Sequence, residues 1–174
     1  MKGFVDLNIK QTRERSKGIQ VFAITPFMES AGKTMVDEEG IKRNIDSWVE
    51  AKIPVVVVCG GVGELGYLDE KEHIQVVRAA AEQSSGRIVV IAGVTGDTKS
   101  CVDTSRRVEE AGADGVLLFP NERVERNSNS LIKFYSTISE SVEIGIMPFR
   151  IDKTVDLDTV RNLAELPNIL ALKE

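Results

Sequence analysis

Ile53-Pro54-Val55-Val56-Val57-Val58-Cys59-Gly60-Gly61-Val62-Gly63-Glu64 is the stretch whose reading decides the architecture. Four consecutive valines leave no polar face, and β-branched side chains favour a strand over a helix. A strand that is apolar throughout has both faces covered, which is the condition of a parallel sheet sandwiched by other layers. The glycines that follow permit a sharp exit from the strand. Similar apolar runs lie at residues 19–25, 88–93, 115–119, 143–147 and 169–173.

Between these runs the apolar period changes to that of a helix. Ile41, Ile45, Trp48 and Val49 share one face of a helix starting near Asp37, and Ile74, Val77 and Ala81 share one face of the next. Further stripes are Val102, Ser105, Val108, Ala111; then Leu131, Phe134, Tyr135, Ile138; then Leu157, Val160, Leu163. Asp69 with Glu72 reads as a capping box, Asp37, Asp97, Ser128 and Asp156 as N-caps, and Gly112 as a helix C-cap. Strands alternating with helices imply a parallel sheet with right-handed crossovers. The predicted fold class is α/β, of the (β/α)8 TIM-barrel type. About six βα units are present, where eight make a barrel of about 250 residues. Residues 1–17 read as an N-terminal extension to which no element is assigned, and residues 18–174 as an incomplete barrel domain.

Composition narrows the partners. The 174 residues are 42% hydrophobic and 28% charged, with a formal net charge of −5 and a pI near 5.1. No basic cluster interrupts that acidic balance, so nucleic acid is not an expected partner. No apolar stretch approaches the roughly 18 residues of a membrane span. The polar start lacks the apolar core of a secretory signal. Cys59 and Cys101 have no metal or redox spacing and read as buried thiols of a reducing compartment. The expectation is a cytoplasmic protein with no membrane association, no metal and no cofactor.

In a protein built of βα units, chemistry sits at the carboxyl ends of the strands. Lys173 occupies that place after Ile169-Leu170-Ala171-Leu172. A lysine amine sheltered there can act as a Schiff-base nucleophile. The turn Gly60-Gly61-Val62-Gly63-Glu64 is the second candidate, because successive backbone N–H groups can hold a carboxylate. His73, the lone histidine, has charged neighbours and reads as a surface residue. Glu122 and Glu125 read as solvated loop acids.

From Gly18 to Lys173 the chain resembles the dihydrodipicolinate synthase / N-acetylneuraminate lyase family of class I (Schiff-base) lyases. The carrying segments are Ala23-Ile24-Thr25-Pro26-Phe27, the turn Gly60-Gly61-Val62-Gly63-Glu64 with Leu68, and Val90-Ile91-Ala92-Gly93-Val94. Glu110-Ala111-Gly112-Ala113-Asp114-Gly115 and Leu163-Ala164-Glu165-Leu166-Pro167-Asn168-Ile169, leading to Leu172-Lys173, complete the series. Gly60-Gly61 looks most like the branch that dehydrates sugar-derived acids, such as 5-dehydro-4-deoxyglucarate dehydratase.

The resemblance implies a lyase, either aldolase or dehydratase, acting on a 2-oxo acid or sugar-derived acid, with Lys173 as the catalytic imine-forming residue. It implies substrate-carboxylate binding at Gly61, Val62 and Gly63, although the family usually carries threonine at the place of Val62 and often at that of Gly61. The family's proton-shuttling tyrosine falls on Pro148 or Phe149, neither of which has a hydroxyl. A second family tyrosine, often borrowed from a neighbouring subunit, falls on Asn121-Glu122. Tyr135 lies on a helix face and reads as packing. Tyr67 is therefore the phenol left for a proton relay. Arg150 is placed to clamp a distal carboxylate.

Six units leave two parallel edges unpaired, and open edges associate. The missing units could come from a longer chain, a partner chain or a second copy, and a homo-oligomer is expected. The alternative function is a non-catalytic relative that binds a small acid or serves as an assembly partner.

Overall fold

The computed structural model describes residues 8–121, 124, 127–149 and 156–173. Helix α1 (Ile9–Arg15) is followed by β1 (Gln20–Phe22) and a hairpin, β2 (Phe27–Ser30) with β3 (Lys33–Val36). Then come α2 (Glu38–Glu50), β4 (Val55–Val58), α3 (Glu70–Ser84), β5 (Val89–Gly96), α4 (Thr98–Glu110) and β6 (Gly115–Pro120). The described order closes with α5 (Ser128–Ser139), β7 (Gly145–Pro148) and α6 (Leu157–Ala164). The main sheet is parallel, in the order β1-β4-β5-β6-β7. Residues 169–173 continue it beside β7 through parallel bridges at Ile146–Ile169 and Phe149–Lys173.

The valine run divides as a pleat requires. Val56 and Val58 face the layer between sheet and helices, with Ile41, Ile45, Val77 and Val90. Val55 and Val57 face the interior of the curled sheet, with Val89, Ile91, Leu117, Met147 and Leu170. All four valines are buried, and burying each one stabilises the fold by about 1.5–3 kcal/mol relative to exposure.

The interior is packed where strands begin. Gly115 and Gly145 point inward and leave the space that Leu170 fills. A β-carbon on Gly145 would lie 2.3–2.7 Å from three atoms of the Leu170 side chain. Ile9 of α1 packs on the same cluster.

Two features depart from the sequence reading. The stretch assigned no element contains α1, begun by a reciprocal capping box between Asn8 and Gln11. Arg13 on α1 donates to the carbonyl of Ile169 from Nη2 at 2.7 Å and from Nε at 3.2 Å. The second departure is the β2–β3 hairpin, closed by Ala31 at φ 51° and Gly32 at φ 74°, the left-handed pair that a tight antiparallel turn needs. The caps at Asp37, Asp69, Asp97 and Asp156 are formed as read. For α5 the cap is Asn127, not Ser128, because the Asn127 side chain accepts from the N–H groups of both Asn129 and Ser130.

Candidate active site

Lys173 is held from several directions. Its backbone N–H donates to Pro148 O at 2.8 Å, which fixes the strand against β7. Upstream, the buried Asn168 side chain donates to the carbonyls of Val142 and Ile144, and it accepts from Ser139 Oγ. Together with Arg13, these bonds define the line along which residues 169–173 run. The half-buried amine then projects into the interior, with Nζ 5.7 Å from the Phe22 ring centroid and 5.5 Å from that of Phe149. Phe22 belongs to one edge of the five-stranded sheet and Phe149 follows the other. One amine can reach both rings only because the sheet curls into a partial barrel. At these distances the ring faces attract the ammonium.

The turn after β4 is built by close backbone contact. Cys59 leaves the strand at φ 51°, a left-handed conformation unusual for a residue with a side chain. Gly93 on β5 lets it do so, since a β-carbon there would lie 2.0 Å from Cys59 O. Gly63 is enclosed similarly: its β-carbon would stand 2.9 Å from Ala23 O and from Cys59 N. The buried Thr25 hydroxyl donates to Gly63 O at 2.8 Å, tying the turn to the end of β1. Among the described residues no acceptor meets the N–H groups of Gly61, Val62 and Gly63. Those donors are the kind a carboxylate requires. A β-carbon on Gly61 would have no atom within 4 Å, so the position has room for a hydroxyl-bearing side chain.

A β-curl with an interior lysine and a glycine-rich turn at its carboxyl end has known counterparts. The model of the dihydrodipicolinate synthetase family matches residues 15–174. This chain belongs to that family. It is 34% identical over 163 residues to a 4-hydroxy-tetrahydrodipicolinate synthase of Caldicellulosiruptor bescii, covering 91% of this chain and 54% of the relative. Over 162 residues it is 33% identical to the Methanospirillum hungatei synthase, with 91% and 55% covered. Among solved structures, a dihydrodipicolinate synthase from Aquifex aeolicus superposes with TM-score 0.80 at 34% identity, covering 90% of this chain and 54% of that one. The chloride-inhibited dihydrodipicolinate synthase of Acinetobacter baumannii, solved with pyruvate, gives TM-score 0.81 at 26% identity, with 91% and 55% covered. The chain thus spans about half the length of the curated relatives it matches, and its sheet is the corresponding part of a (β/α)8-type barrel.

Against the family pattern, the structure sorts the remaining candidates. Phe149 is the residue beside the amine, packed at 4.8 Å against Phe119; Pro148 is buried in β7 and offers its carbonyl to Lys173. Tyr67 is 88% exposed. Val62 is 58% exposed at the turn. Tyr135 is buried, donating to Leu118 O at 3.4 Å. Arg150, Glu122 and Glu125 lie outside the described residues. Asn121 is described, and its side chain accepts from Val124 N–H at 3.2 Å.

His73 corrects the surface reading. It is 6% exposed, and its Nε2 donates to Gly93 O at 2.9 Å. Its neighbours Glu70, Lys71 and Glu72 face solvent, while His73 shares the inward face with Val76 and Val77. Desolvation lowers its pKa from 6.5, partly offset by that hydrogen bond. It supports the strand on which the glycine-rich turn rests. The thiols are not nucleophiles in this setting: burial pushes Cys59 up to about 12, and burial with the charge of Asp97 does the same to Cys101.

Proposed function

We propose that this chain supplies the Schiff-base part of a lyase site for a pyruvate-like 2-oxo acid. The observation that carries the reading is Lys173, pinned through its backbone at the carboxyl end of the sheet with its amine turned into the interior. The amine attacks the keto carbon and water leaves, forming an imine between Nζ and that carbon. The N–H groups at Gly61, Val62 and Gly63 receive the substrate carboxylate, with Thr25 holding their turn. The imine then withdraws electrons from the neighbouring carbon, so a carbon–carbon bond can form or break, or a hydroxyl can leave as water. Arg150 is proposed as the clamp for a distal carboxylate, and Tyr67, exposed just past the turn, as the phenol of the relay. A cytoplasmic setting and self-association complete the proposal, the first supported by two unpaired buried cysteines.

Incubation with pyruvate and cyanoborohydride, followed by intact mass and peptide mapping, tests this. The expected result is one reduced adduct, on Lys173, that Lys173→Ala loses. A cooperatively unfolding protein that forms no adduct would overturn the proposal. It would favour the second reading, a non-catalytic relative that binds small acids, for which Phe149 speaks directly: the residue beside the amine has no hydroxyl to move a proton.

A further inference from the structure

We propose that the site selects 2-oxo acids whose carbon chain next to the keto group, up to any distal carboxylate, is apolar and of aryl size rather than polyhydroxylated; this rests on Lys173 as the imine-forming residue. Phe22, Phe119 and Phe149 come from three different strand ends. All three remain half-exposed around the interior end of the barrel while packing on its inner cluster. Phe119 and Phe149 stack at 4.8 Å with a tilt of 56°, and Phe149 and Phe22 each lie within 5.7 Å of the amine. A substrate joined to Nζ must run its chain along these rings.

Among the described residues, the threonine hydroxyls near these strand ends donate their protons to backbone carbonyls. Thr25 gives its proton to Gly63 O, and Thr95 gives its proton to Phe119 O at 3.1 Å. At the turn, Val62 exposes an isopropyl group. Hydroxyls of a polyhydroxylated chain that lie against these phenyl faces give up their bonds to water and meet no acceptor on the rings, which is costly. An aryl or alkyl chain loses nothing on leaving water and gains ring contact. Discrimination of this kind is strong because it turns on unmatched polar groups rather than on size.

The test compares cyanoborohydride trapping of the 174-residue protein by pyruvate, phenylpyruvate and a 3-deoxy-2-oxo-hexonate, with adduct read by intact mass. Phenylpyruvate is expected to reach half-maximal adduct at a concentration at least about ten-fold below the hexonate, equivalent to about 1.4 kcal/mol. Phe119→Ser, which removes one ring of the lining, is expected to erase the difference, read as the ratio of the two half-maximal concentrations at equal folded fraction. Equal or better trapping of the hexonate, with pyruvate reacting normally, overturns this inference and leaves the Schiff-base reading standing. Failure of all three acids overturns both. A separate arm needs no imine: 3-phenylpropanoate should raise the melting temperature at concentrations where gluconate does not, and equal shifts count against the apolar selection.

Discussion

The two ends of the same sheet are built on opposite rules. Where the strands begin, side chains are removed so that backbones and one leucine interlock: Gly115 and Gly145 yield their space to Leu170, and Ile9 covers the cluster. Where the strands end, large rings are added and left half-exposed around a lysine. The first end gains stability from close packing. The second keeps the Lys173 amine beside half-buried rings, an arrangement that suits the Schiff-base role proposed above. The contrast shows one set of strands interlocked where it begins and left open where it ends.

Breaking the packed end should cost most. Leu170→Ala empties the space shared by the two glycines and is expected to destabilise by about 2–5 kcal/mol, read from urea midpoints, with Lys173 trapping reduced only as far as the protein unfolds. A smaller loss at the same position than at an exposed site such as Leu157 would show that the interior is not closed there. Next in size is Thr25→Val, which leaves Gly63 O buried without its donor and should cost about 1–3 kcal/mol. Its more telling readout is weaker capture of pyruvate at equal folded fraction, because the turn loses its tie to β1.

A third perturbation uses pH. His73 is the only histidine, and its folded pKa lies below the ordinary 6.5. The unfolded chain therefore takes up a proton first as pH falls. Stability from the neutral buried ring is intact above pH 6.5 and declines as pH drops through that value toward the folded pKa. Urea midpoints at pH 7.5 and 6.0 should differ in the native protein and differ less in His73→Gln. The gentlest change sharpens the reactive end. Phe149→Tyr adds a hydroxyl next to the amine and should alter stability by less than about 1 kcal/mol, while speeding exchange of the pyruvate methyl protons for deuterium. An unchanged exchange rate would mean the ring's place is not that of the family's proton shuttle.

Much of this was legible in the chain itself. The valine run announced the buried parallel strand, and Asp69 with Glu72 announced the start of α3, because both signals are local. The β2–β3 hairpin was not, since its burial is confined to its outer residues and its strands carry almost no apolar alternation. α1 was missed although Asn8 and Gln11 hold the spacing of a capping box; its stabilising contacts are with residues 167–169, far along the sequence. His73 was misread because three charged neighbours outweighed its position one turn before Val76 and Val77. That Phe149 lies beside Lys173 was not legible either, because it depends on register, which the pairing of the two residues supplies. The Gly93 crossing over Cys59 left no trace in composition, since a glycine in a strand states a need without naming the neighbour.

Arg13 and Ile169 meet across 156 positions. On the ribosome the guanidinium of Arg13 has no carbonyl to hold until residue 169 has followed it. The bridge closes a very long loop, so it forms late, and the strand bearing the lysine is registered only then. An order is thus built into the chain: until α1 has found residues 169–173, a nascent or half-folded molecule has not fixed the line on which Lys173 sits, and with it the Schiff-base centre proposed above.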